Sequence, residues 1–212
     1  MSWIDQLERK HRGKGIPNLM KIIVFGQVAV WLTVMLLNAS VYNMLTLTRY
    51  GLMHFQVWRL VTFLFVPPLT RSPLILALQL YLYYAIGTSL ERTWGTFRFN
   101  LYYLLGMVGA ILSCMLTGYG SNEALNLSLF FAFAVLYPET QFLLFYIIPI
   151  KVKWLGVIAA VMYLLDFVVG SLPVKMSLIF GLLNFLLFFW PDLKNQWRNY
   201  QRRKQWNDAF RQ

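Results

Sequence analysis

Six apolar stretches, at about residues 22–37, 73–89, 99–116, 123–137, 154–169 and 176–190, follow one another along the chain. A water-soluble core of this size cannot absorb so much apolar helix. Of the 212 residues 58% are hydrophobic and only 13% are charged, more apolar than a soluble domain of that length. The expected class is an all-α polytopic membrane protein with one six-helix membrane domain, 22–190, between basic tails at 1–21 and 191–212.

The net charge of +11 does not point to nucleic acid, because the lysines and arginines follow membrane topology. Five lie in residues 1–21, two in the 91–98 turn, two in 139–153 and six after residue 191; the opposite set of connections holds only Arg49, Arg59, Arg71 and Lys175. Positive residues stay inside, so both termini are expected in the cytoplasm. In the first tail Trp3, Ile4 and Leu7 share a helical face ahead of Arg9, Lys10, Arg12 and Lys14, which reads as a short helix on the membrane surface. No cleavable signal is expected, since no small-residue cleavage site follows the first apolar run. The single cysteine, Cys114, reads as a small packing residue. The second stretch, about 17 residues, is at the low end for crossing, and the fourth spans roughly 22 Å of a hydrocarbon core about 30 Å thick. Two short helices imply a locally thinned bilayer.

Residues 87–106 form a hairpin between the second and third helices. Gly87 and Glu91 share a face, Gly95 can end the first helix, and Arg98, Tyr102 and Gly106 share a face of the next. Glu91 either accepts hydrogen bonds from the loop or pairs with Arg98. Gly106, Ala110 and Ser113 continue a stripe of small residues that lets helices approach closely. Before the hairpin, the long aromatic connection 38–68 contains Trp58 and Arg59 and is expected at the membrane interface. His54 reads as a loop histidine with backbone or headgroup partners. After the hairpin, the apolar centre of 138–154 is too short to span.

The series Gly87, Leu90, Glu91, Trp94, Gly95, Arg98, Phe99 and Tyr102 resembles the junction of the second and third helices in the rhomboid superfamily. His54-Phe55-Gln56 with Trp58-Arg59-Leu60 and Thr62 resembles the first loop of rhomboids and of derlins in particular, and Ile148-Pro149-Ile150-Lys151 with Lys153-Trp154 resembles the rhomboid segment after the fourth helix. The resemblance covers about 22–190 and implies a six-helix rhomboid-like bundle. Protease members carry serine in Gly-x-Ser-Gly on the fourth helix, histidine on the sixth, and a His and Asn pair on the second. Here neither Ser121 nor Ser128 has the flanking glycines, the nucleophile's place falls near Glu123, and no histidine follows His54. Without nucleophile and base the chemistry is lost. A Ser128–Lys175 dyad would rest on a lysine at a helix end, where it stays protonated.

What the resemblance then implies is a pseudoprotease that binds transmembrane segments of other membrane proteins laterally and perturbs the bilayer, in quality control or trafficking. The expected location is a bacterial cytoplasmic membrane, or the endoplasmic reticulum if the host is eukaryotic. Gln79, Asn126, Ser128, Asp166 and Asn184 are polar groups inside membrane segments and candidate client or cavity contacts. Two other classes remain open: an intramembrane serine protease with the atypical dyad, and a small transporter or channel whose path passes Asp166. Against transport, no inverted repeat is visible. No cofactor is expected, and no His-Glu-x-x-His or Cys/His cluster suggests a metal.

Overall fold

The structure, a computed structural model, describes residues 3–10, 15–36, 40–68, 70–144 and 148–209. Residues 11–14 of the basic tail and 145–147 of the short apolar segment lie outside the described residues. A surface helix, α1 (Trp3–Lys10), precedes the first long helix, α2 (Leu19–Leu36). The connection that follows is built from α3 (Ser40–Leu45), β1 (Leu47–Thr48), α4 (Arg49–Met53), α5 (Arg59–Thr62) and a 3-10 turn at Phe63–Phe65. Then come α6 (Pro73–Trp94), α7 (Thr96–Thr117), β2 (Tyr119–Gly120), α8 (Glu123–Leu136), β3 (Gln141–Leu144), β4 (Ile148–Lys151), α9 (Val152–Val169) and α10 (Leu172–Ala209).

Five of these helices, α2, α6, α7, α9 and the Leu172–Trp190 part of α10, are long and apolar enough to cross a membrane. The chain is therefore a multi-pass integral membrane protein, and many large apolar side chains of these helices point outward. The sixth expected span is α8, at 14 residues too short to meet the same measure.

Local signals set the helix ends. The Ser72 side chain accepts from the Ile75 amide at the start of α6, with Pro73 in its first turn. Gly118 closes α7 with φ 94°, its amide donating to Cys114 O at 2.8 Å. The expected end of the second helix at 89 is corrected: α6 runs 22 residues to Trp94, roughly 33 Å. Glu91 and Arg92 read as a stop, but charged side chains at a membrane interface reach water without breaking the backbone ladder. Thinning by two short helices therefore reduces to one, α8. The sixth helix likewise runs on to Ala209 rather than stopping at 190; Pro191 removes one backbone donor without ending the helix.

Two short ladders depart from the expected all-helical chain. β1 pairs β2 antiparallel, Leu47 opposite Gly120, and ties the first loop to the α7–α8 turn. β3 and β4 form a hairpin, Gln141 opposite Lys151 and Phe142 opposite Ile150, from the apolar segment that was too short to span. At its base the Glu139 carboxylate accepts from Lys151 and Lys153, each at 2.7 Å, and those bonds hold its carboxyl down at about 2. This staple lies in solvent, so salt screens it.

The centre of the bundle is the junction of α7, α8 and α10. A Cβ on Gly106 would sit 2.4 Å from Leu125 Cδ1 and 3.1 Å from Asn184 Nδ2, and one on Gly181 would sit 2.9 Å from the Ala124 carbonyl oxygen. Gly106, Ala110 and Ser113 of the small-residue stripe are all buried. Around them Phe99, Tyr102, Tyr103, Leu125, Leu129 and Phe133 fill the core.

Candidate functional site

Because α8 is short and apolar it sits low between two longer neighbours. Both α6 and α9 pack on it, and between them runs a groove of about 730 Å³. Leu78, Tyr81, Leu82 and Ile86 of α6 form one wall, and Leu155, Ile158 and Ala159 of α9 the other. The floor is Asn126, Leu127 and Phe130, with Glu123 at one end and Gln141 and Phe142 at the other, so the groove follows the length of α8. Helix α9 is the least buried of the five long helices. Its Tyr163 hydroxyl donates to Leu178 O of α10, and its ring meets Phe131 edge-on.

The floor carries one polar group without a partner: Asn126 is 6% exposed, and its Oδ1 accepts nothing. An orphan acceptor in such a place costs about 1–3 kcal/mol. Among the groove's described polar groups it is the buried acceptor atom that a bound molecule could satisfy. Gln79 is half-buried with an unpartnered Oε1 and faces a second, smaller cavity. The other polar candidates face neither space. The Ser128 hydroxyl is buried and donates to Leu125 O at 2.8 Å, one turn back on its own helix. Asn184 Nδ2 donates to Tyr102 O at 3.2 Å across the α7–α10 contact. Asp166 points outward near the end of α9. Lys175 is half-buried in the first turn of α10.

In the α6–α7 hairpin, Glu91 Oε1 accepts from the Asn18 amide at 2.9 Å and the Thr96 hydroxyl at 3.1 Å. Arg98 Nε instead donates to Glu8 of α1 at 2.7 Å. Gly87 is buried where a Cβ would meet Met20 of α2 at 2.3 Å, and Gly95 holds φ 81°, ψ 158°, a region closed to side chains. The turn thus gathers the amino-terminal segment onto the bundle. Asn100 completes the clasp, accepting from the Ile16 amide at 3.2 Å and donating to its carbonyl at 3.0 Å. Sequence reasoning missed Asn100, since an asparagine one turn into a helix carries no mark of a partner 84 positions away. Glu91→Ala and Gly95→Ala should each lower stability by about 1–3 kcal/mol, through unpaired donors and backbone strain respectively. Melting in detergent checks this, and unchanged curves for both would reduce the junction to a linker.

The first loop is organised by Arg59, 9% exposed, whose Nη1 donates to Asn43 O at 2.7 Å and Thr46 O at 2.5 Å and whose Nε donates to Gln56 at 2.6 Å. Trp58 beside it is half exposed. His54 Nδ1 lies 2.9 Å from Tyr50 O. The loop's far end is held by Asn122, whose Nδ2 reaches the carbonyls of Phe63, Leu64 and Val66 at 3.0–3.2 Å.

No protein-family model matches the chain, and no curated protein matches it.

Proposed function

We propose that the protein is a rhomboid-like membrane protein without protease activity that receives a transmembrane segment of another membrane protein in the groove between α6 and α9. The observation that carries this reading is the groove itself: apolar walls from two membrane helices, a floor made by a short third one, and a single unsatisfied acceptor at Asn126. A helix is about 10 Å across with its side chains, and a trough of this volume along α8 takes one side of it. Lipid tails fill such a space less well than a helix whose side chains interlock with the walls. In this reading α8 is a sixth, short crossing, and both termini lie on the cytoplasmic side, where most of the lysines and arginines fall. Thinner hydrocarbon above and below α8 lowers the cost of holding a client with polar residues. The geometry of Ser128 agrees with a non-catalytic role: its proton is directed at Leu125 O, and neither cavity reaches it.

A photo-crosslinking residue placed at Leu82 or Ile158, on the groove walls, should capture a reproducible set of single-span proteins in native membranes. The same residue at Leu104, on the outward face of α7, should not. Equal capture from all three positions, or none from the walls, would remove the groove as a client site.

A further inference from the structure

At the end of the bundle where α8 begins, a second cavity of about 240 Å³ lies beneath the first loop. Tyr42 of α3, Gln79 and Tyr83 of α6, Tyr119 of β2 and Glu123 of α8 border it. Tyr83 and Glu123 also border the groove, but the proposal here does not require the groove to be filled.

The chemistry of this space is one-sided. No lysine, arginine or histidine borders it, and Glu123 forms no ion pair among the described residues. The Gln79 Oε1 is buried and accepts nothing. The Asn122 amide, the neighbouring donor, is spent on the carbonyls of Phe63, Leu64 and Val66. Tyr42 and Tyr119 stay neutral: burial first, then neighbouring Tyr119 and Glu123, push the Tyr42 hydroxyl up to about 12, and burial with Glu123 pushes Tyr119 up as well. One carboxylate, one orphan acceptor and three phenol rings therefore border a space in which no lining side chain carries a positive charge.

An anion is repelled by Glu123. A divalent cation takes about six or more oxygen ligands, and this space offers one carboxylate and one unpaired amide oxygen. A quaternary ammonium is drawn to carboxylate and rings but leaves Gln79 unpaired, because it has no N–H. We propose that this cavity binds a primary ammonium group, its N–H bonds going to Glu123 and Gln79 with Tyr42, Tyr83 and Tyr119 around it. The cavity holds the volume of several waters, enough for an ethanolamine-sized group. The ammonium comes either from a free amine or from a phosphatidylethanolamine headgroup.

The test uses the full chain in a maltoside detergent, with melting followed by tryptophan fluorescence at fixed ionic strength. Ethanolamine should raise Tm in a saturable way, choline should do so more weakly, and ethylene glycol should do nothing. Glu123→Gln should raise half-saturation by about tenfold or more. Gln79→Met should erase the preference for ethanolamine over choline while the unliganded protein melts no lower than wild type. Nanodiscs of phosphatidylethanolamine, compared with phosphatidylcholine and phosphatidylglycerol, separate the sources. A rise only with the first lipid assigns the headgroup; a rise with free ethanolamine in every lipid assigns the soluble amine. No saturable response to either form of the amine, or the same response in Glu123→Gln as in wild type, overturns the proposal.

Discussion

Arg59→Ala should release the first half of the loop between α2 and α6 while the long helices stay assembled. The guanidinium ties three turns together, through Asn43 O, Thr46 O and the Gln56 side chain, and its Cδ and Nε lie where a Cβ on Gly51 would be, at 2.6 and 2.4 Å. Truncation leaves the Thr46 carbonyl without its donor, the Asn43 carbonyl with only the Thr46 hydroxyl, and a void against Gly51. Hydrogen bonds to a charged group contribute about 1.5–3 kcal/mol each, so a local loss of about 3 kcal/mol or more is expected. Arg59→Lys should restore little, since one ammonium cannot reproduce the planar fork. Hydrogen exchange gives the readout: amides of residues 40–62 should exchange much faster in both variants. Residues 63–66 should stay protected, because Asn122 and Gln27, whose Nε2 donates to Leu64 O at 2.9 Å, hold them separately. Wild-type exchange in Arg59→Lys would show that charge alone, not the fork, orders the loop. If the loop also positions a client, the Trp58→Ala/Arg59→Ala variant should lose groove crosslinking while remaining inserted.

Gly181→Leu should be the most damaging single change in the membrane helices. Its new Cβ would lie 2.9 Å from the Ala124 carbonyl oxygen and 3.2 Å from the Ala124 Cβ. Neither backbone nor methyl can rotate away, so α10 must part from α8. Gly106→Ala makes an instructive comparison: its Cβ meets the end of the Leu125 side chain, at 2.4 Å, and Asn184 Nδ2, at 3.1 Å. Leu125 has another rotamer available, so the expected loss there is about 1 kcal/mol, against about 3 kcal/mol for Gly181→Leu, the upper end for overpacking. Denaturant-induced unfolding in mixed detergent micelles should rank the two variants in that order. The reverse order would mean that the Leu125 site is the stiffer contact.

These two positions also show where sequence reading stops. Arg59 was legible as a donor to backbone carbonyls because an arginine among aromatics in a long loop needs acceptors, and loop carbonyls are the nearest. Its partners Asn43 and Thr46, 16 and 13 positions away, were not. Gly95 was legible as a turn because its neighbours are helical on both sides. Gly181 was unremarkable in an apolar run, since a glycine's neighbour on another helix leaves no trace in one sequence. The end of α6 was expected at 89, and with it one of two short helices, because charge at a membrane boundary, here Glu91 and Arg92, mimics a helix stop.

By itself the sequence determined the membrane class, the number and order of the apolar stretches, the shortness of α8, and the glycine turn at Gly95. These depend on local composition and spacing, which act over a turn or two of chain. Only the tertiary structure decided that Asn126 floors an open groove, while Ser128, two residues on, is turned into the bundle. It alone gathered Tyr42, Gln79, Tyr119 and Glu123 around one cavity. Those arrangements depend on which faces of α6, α8 and α9 meet, and in helices that are apolar nearly all round no periodic pattern records which face that is.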